Sequence, residues 1–262
     1  MTNHPDADST SPDQAALREP TQWLGLALVM PSFVLIGIFF LLPLVMTVWM
    51  SFYDWPLLGR SSFIGLGNYA ELIGETQLWR SLGFTALYTV LVSIALFAVS
   101  FPLALLVDKP LRAAGIFRTV YFMPVVVGFG AASTLWLWLL NPDSGVFARL
   151  LLDLGLVGSA PRPLENFWPT MGVVILMVVW KSAGFSMVIL LTGLQSVPNE
   201  LIEAAKIDGA NAWNRFRRIT VPLMRNSILL VTVLNVTSSM LAFDQFFIIT
   251  QGGPQNSTIS AV

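Results

Sequence analysis

Five stretches of this chain are apolar enough and long enough to cross a bilayer: residues 24–50, 82–107, 119–140, 169–193 and 228–250. Crossing about 30 Å of hydrocarbon at helical rise takes about 20 apolar residues, and each run meets that length. None alternates apolar with polar positions, so helices rather than barrel strands are the predicted spanning elements. The pattern predicts an all-α, polytopic membrane bundle. Pro31, Pro43, Pro102 and Pro124 fall inside the runs and predict kinks, since neighbouring helices can satisfy the freed carbonyls. Between the runs, 55–81 and 141–168 are rich in Gly, Pro and Asn and read as ordered, turn-rich connections.

One connection differs from the rest. Within residues 194–227 lies ELIEAAKIDGANAWNRFRRITVP, residues 200–222, with three acids, one lysine and three arginines. Pro198 suits the first turn of a helix, and Glu200 and Glu203 there complement the helix dipole, so a helix is predicted over about 198–207. Leu201, Ala204, Ala205 and Asp208 fall on one face, which the two alanines keep small enough for close approach of another backbone. Gly209 turns the chain, a second helix begins near Ala212, and Pro222 opens the next run. Two short helices at an angle make a projecting knob that suits a groove on a soluble partner. An amphipathic segment lying on the membrane surface, held by the arginines and Trp213, fits the same residues.

Composition narrows the chemistry. The chain is 55% hydrophobic and 11% charged, with a mean hydropathy of +0.71, far below the charge content of soluble domains. It has no cysteine, and its one histidine is His4, so disulfides, thiolate sites, histidine triads and HExxH zinc chemistry are excluded. No GxxxxGK[ST] phosphate loop occurs, and the net charge of −1 gives no reason to expect nucleic acid. Residues 1–22 lack the basic start of a secretory signal and read as a short disordered tail.

Basic residues set the predicted orientation. Arg18, Lys109, Arg112, Arg118, Lys206, Arg215, Arg217, Arg218 and Arg225 fall on one side of the alternating spans, against Arg60, Arg80, Arg149 and Arg162 on the other. The positive-inside rule then puts the amino terminus and the polar insert in the cytoplasm. Trp49, Phe52, Tyr53 and Trp55 cluster where the first span would reach the outer interface.

Inside the spans, a few polar residues stand out. Lys181 lies near the middle of the fourth run, where a central charge costs about 2.5–3.5 kcal/mol on insertion scales unless it faces protein or water. Pairing with carbonyls or an acid, or lining a substrate path, are its two readings. The fifth run carries Asn235, Thr237, Ser238, Ser239, Asp244 and Gln245. Its hydroxyls fit helix packing. Asn235, Asp244 and Gln245 are candidates for the path, since amides and carboxylates bind sugar hydroxyls.

The stretch EAAKIDGANAWNRFRRITVPLM resembles the EAA signature of the membrane-spanning subunits of binding-protein-dependent ABC importers, on Glu203, Ala204, Ala205, Gly209, Val221 and Pro222. WLGLALVMPSFVLIGIFFLLPLVMTVWMSFYDW, FIGLGNY, IFRTVYFMPVVV, LWLWLLNPDSG, VVWKSAGFSM and FDQFFIITQGGP extend the resemblance to the sugar-importer branch over residues 23–254. Ser100, Phe101 and Thr192 depart from that pattern, all within spans.

The resemblance implies an ABC-permease bundle over residues 23–262 with a cytoplasmic coupling loop at 194–227, in a bacterial inner membrane. It implies a similar second permease, two cytoplasmic ATPase subunits that use ATP and magnesium, and an external solute-binding protein. Glu203, Ala204, Ala205, Asp208, Gly209 and Ala210 would form a coupling helix seated on the ATPase. The chain itself would have no catalytic residue, no cofactor and no metal. The family returns through a sixth span after the GGP turn, so a carboxyl-terminal truncation is expected. The same machinery with another cargo (glycerol phosphate, a polyamine or an amino acid) is the alternative, and an autonomous secondary transporter is the rival. Such a transporter would need mid-membrane carboxylates, and no acid lies near the centre of any span.

Overall fold

A computed structural model of the chain describes residues 20–56, 58–108, 114–155, 157–254 and 258–262. The tail expected over residues 1–22 lies outside these as far as residue 19, as do Lys109 and Arg112 of the charge pattern. The chain forms two compact units, divided between Glu75 and Thr76.

The first unit begins with α1 (Pro20–Ile36), which passes through a π-helical turn at Gly37–Leu41 into α2 (Leu42–Met50). Pro43 follows the π-helical turn, which widens the helix just before the residue that lacks an N–H, and its carbonyl accepts the Thr47 hydroxyl at 2.8 Å. Trp23–Met50 is thus one apolar helical path of 28 residues, none of whose side chains is buried within this unit. Beyond it, two-residue strands β1 (Tyr53–Asp54) and β2 (Ser62–Phe63) pair antiparallel, and α3 (Gly67–Gly74) follows. Tyr53 meets Trp49 at 4.7 Å and Phe63 at 5.3 Å between ring centroids. The Asn68 amide ties the corner by donating to the carbonyls of Ser51 and Tyr53 at 2.8 and 2.9 Å.

The second unit is built on two long helices, α4 (Thr76–Asp108) and α8 (Phe167–Gln195). At 33 and 29 residues each is longer than the hydrocarbon requires, and they form the main helix pair of the unit. Pro102 is absorbed within α4 without ending it. The connection expected over 141–168 contains α7 (Val146–Asp153), whose Val146, Phe147 and Leu150 recur at helical spacing in a run too short to stand out beside the spans.

Two apolar runs are broken rather than kinked. The run 119–140 divides into α5 (Ala114–Phe122), a 3-10 turn at Met123–Val126, and α6 (Phe129–Leu139), with the two arms of the pair bent by 96°. Pro124 falls in the 3-10 turn, Val127 and Gly128 are extended, and the helix restarts at Phe129. The run 228–250 divides likewise. After the short helices α9 (Asn199–Ile207), α10 (Ala212–Arg215) and α11 (Val221–Leu223), α12 (Arg225–Met240) stops at Leu241 and α13 (Asp244–Ile249) begins after Phe243, with Asp244 in its first turn.

The core of this unit has two apolar clusters. One joins Phe84, Tyr88 and Val92 of α4 to Val174 and Met177 of α8 and Phe246 of α13. The other joins Phe101, Ala104 and Val107 to Met187, Leu190 and Leu191, and to Met224 and Val231. Along α8 the first cluster ends at Ala183 and the second begins at Met187. Ser186 lies in that join, and Lys181 and Ser182 lie just before it. There α8 also touches α5 closely, because a Cβ at Gly184 would run into the carbonyl of Tyr121.

Candidate functional site

Beside the first apolar cluster, the second unit holds a cavity of about 220 Å³ that opens past the exposed Phe185, Leu234 and Ser238. Its walls come from both broken runs and from the helices between them: Val125 and Phe129 flank the first break, Asn235, Ser238, Ser239 and Gln245 flank the second, and Tyr88, Lys181, Ser182 and Phe185 complete it. Irregular backbone is tolerated at membrane depth where it is buried in protein or lines a cavity, and here both breaks border the same one.

Three hydrogen bonds from groups of the cavity wall join different elements, and a fourth stays within α12. Gln245 donates from Nε2 to the Tyr88 hydroxyl at 3.2 Å, linking α13 to α4. The Ser186 hydroxyl donates to Asn235 Oδ1 at 3.1 Å, linking α8 to α12. Ser239 donates to the carbonyl of Asn235 at 2.6 Å. Lys181 Nζ donates to the Val125 carbonyl at 3.4 Å and stands 4.2 Å from the centre of the Phe129 ring. Its ammonium therefore meets the carbonyl end of the first arm and the first residue of the second.

Of the four residues expected along a substrate path, the structure brings three together. Asn235, Gln245 and Lys181 line the cavity, each less than 10% exposed. Asp244 does not: it is exposed and heads α13, where its carboxylate suits the positive end of the helix. Successive helical residues point about 100° apart, so turning Gln245 inward turns Asp244 away. Tyr88 and Ser186 were missed in the sequence. Tyr88 carried a usable signal, since a phenol buried in an apolar span needs a partner for its hydroxyl.

The second candidate site is the polar insert. Pro198 is the residue before α9, with φ −62° and ψ 129°, and Glu200 lies in the first turn. The helix ends in a Schellman motif: Gly209 N–H donates to the Lys206 carbonyl at 3.1 Å and Ala210 N–H to the Ala205 carbonyl at 2.9 Å. That geometry needs a left-handed residue, and Gly209 supplies it with φ +76°. Asn211 then caps α10 by accepting from Asn214 N–H at 2.8 Å, so the turn between the helices is closed at both ends.

What the insert presents is mostly uncovered. Glu203, Ala204, Asp208 and Gly209 are exposed, Ala205 and Ala210 are half-buried, and the apolar side chains of Leu201 and Ile207 are 46% and 87% exposed. The following segment is anchored instead. Trp213 stacks on Phe216 at 5.7 Å, and Phe216 meets Phe101 of α4 edge-on at 5.6 Å. A bare, tightly capped helix therefore hangs from a fixed aromatic base. Among the described residues, no group of three or more His, Cys, Asp or Glu side chains is placed to hold a metal ion.

Comparison with known proteins agrees with this architecture. Residues 79–261 match the family described as binding-protein-dependent transport system inner membrane component. A probable ABC transporter permease of Pyrococcus horikoshii is 35% identical over 88% of this chain and 79% of its own length. The lactose transport system permease protein LacF of Rhizobium radiobacter is 32% identical over 90% of this chain and 80% of its own. The trehalose/maltose transport system permease protein MalF of Thermococcus litoralis is 30% identical over 90% and 80%. The fold is shared with a chain of a bacterial ABC transporter involved in the import of the acidic polysaccharide alginate, with a TM-score of 0.76 over 92% of this chain and 82% of that one at 22% identity. The chain is an inner-membrane permease component, and it belongs to the binding-protein-dependent transport system family.

Proposed function

We propose that this chain is one of two homologous permease subunits of an ATP-driven importer that brings a sugar or oligosaccharide into the cell by alternating access. Relatives named for trehalose and maltose and for lactose support the cargo class, and one named for sn-glycerol-3-phosphate supports the alternative. A related solved complex named for an ABC transporter with a sugar-bound periplasmic protein supports delivery by an external binding protein. The amino terminus and the polar insert lie in the cytoplasm on this reading, by the positive-inside rule.

The observation that carries the proposal is α9, an exposed helix with a rigid Schellman cap and a small-residue face. Glu203, Ala204, Ala205, Asp208, Gly209 and Ala210 form the coupling surface for one of two cytoplasmic ATPase subunits. Closure of those subunits on ATP and magnesium pushes the knob, and the bundle around the cavity follows. Asn235, Gln245 and Lys181 face the cargo in transit. This chain performs no chemistry on it.

The test is uptake of labelled maltotriose and other oligosaccharides into vesicles holding the two permeases, with binding protein and ATPase added or withheld. Uptake that requires both, and ATP, is expected. Equal uptake without the ATPase would sink the proposal in favour of an autonomous carrier.

A further inference from the structure

We propose that Lys181 makes the cavity selective for a saccharide or polyol that carries an anionic group, a carboxylate or a phosphate. This rests on the reading of the chain as a permease whose cargo passes the cavity. It goes beyond that reading by assigning the charge class of the cargo and the residue that selects it.

The charge balance of the cavity is one-sided. Among the described residues, Lys181 is the only basic side chain on its wall, and no carboxylate lines it. The acid nearest in sequence to the lining residues of the fifth run, Asp244, turns out of the cavity. Nor is the ammonium saturated. It has three donors, and among the described residues it has a single hydrogen bond, to the Val125 carbonyl at a long 3.4 Å, with the Phe129 ring at 4.2 Å as its other partner. Two donors are left on a cation that is 6% exposed. A buried ammonium in an apolar bundle is costly unless hydrogen-bonded or paired with an opposite charge, and a bound anion supplies both.

The neighbouring groups extend the same chemistry. Gln245 and Ser182 share the wall with Lys181, and their amide and hydroxyl donors suit the oxygens of a carboxylate or phosphate. Phe185, on the same wall and exposed, offers an apolar face for a sugar ring beside it. A cationic cargo would meet an uncompensated like charge.

The experiment measures uptake by the assembled importer, with its own binding protein and ATPase, of three labelled probes: an oligogalacturonate, glycerol phosphate and maltotriose. The expected result is uptake of at least one anionic probe, with the pair separating a carboxylate from a phosphate cargo. Lys181→Gln is expected to lower that uptake by about tenfold or more, the scale of one lost charge-assisted contact, whereas Lys181→Arg retains most of it. Ser238→Asp, on an exposed residue that lines the cavity, adds an opposing charge without removing the lysine. It is expected to lower anionic uptake while the complex assembles normally, which covers the case where Lys181→Gln fails to fold. Uptake of maltotriose alone overturns the proposal and leaves the sugar-permease reading standing. Uptake of none of the three overturns both. Anionic uptake undiminished in Ser238→Asp, or in a normally assembled Lys181→Gln, also overturns it.

Discussion

Gln245 and Tyr88, 157 positions apart, are joined by a buried hydrogen bond of 3.2 Å from the amide to the phenol oxygen. The bond fastens the short helix beyond the second break to the longest helix of the unit, and Tyr88 packs against Phe246 at 4.7 Å beside it. Tyr88→Phe leaves the Gln245 amide without this acceptor. A loss of about 1 kcal/mol is expected, within the range of interhelical bonds in membranes. Adding Gln245→Leu to that variant removes the stranded amide and should recover part of the loss. Unfolding midpoints of the purified complex across the four-protein cycle would show no coupling if the bond does not form.

Gly209 tests whether the cap of α9 matters for its backbone or for its space. Nothing lies within 4 Å of a Cβ built there, yet its φ is +76°. Gly209→Ala is therefore strained by conformation alone, by about 1–2 kcal/mol, whereas Gly209→Asn enters the left-handed region more readily. Loss of ATPase binding and of uptake is expected for Ala and Pro, with substantial rescue by Asn. Equal activity of all three in a pull-down and an uptake assay would show that the Schellman cap is dispensable.

Glu203 is exposed on the same helix and has no ion-pair partner among the described residues. Glu203→Lys should leave insertion and stability within about 0.5 kcal/mol, as for an isolated surface substitution. Coupled uptake should nevertheless be lost. Retention of full ATP-driven uptake would remove Glu203 from the coupling surface.

Two glycines of α8 make a matched pair. A Cβ at Gly184 would overlap the Tyr121 carbonyl and touch the backbone of Phe122, while one at Gly172 meets nothing within 4 Å. Gly184→Ala has to push α8 and α5 apart, and a cost of about 1–3 kcal/mol is expected. Gly172→Ala should be neutral or slightly stabilising, since alanine is the better helix former. Comparable unfolding midpoints for the two variants would contradict the close backbone contact.

The capped helix of the polar insert was legible in the sequence almost to its ends, as a helix over about 198–207 turned by Gly209. Pro198, Glu200 and Gly209 each act on a backbone group within a turn of themselves, and such local rules survive whatever the rest of the chain does. The lining of the cavity was legible only in part. Asn235, Gln245 and Lys181 were identifiable as polar residues in apolar runs, but Asp244 shared that property and faces elsewhere.

Hydropathy alone was enough to identify a helical membrane protein, because the bilayer imposes on each span a length and a composition that can be counted. It was not enough to find the breaks at 127–128 and 241–243, since a broken apolar run has the same composition as a straight one. The partner of Lys181 is a carbonyl 56 positions away, and that of Asn235 is a serine 49 positions away. Those pairings, and the cavity they line, exist only once helices distant in sequence have packed, because the direction in which a side chain points is set by its neighbours in space.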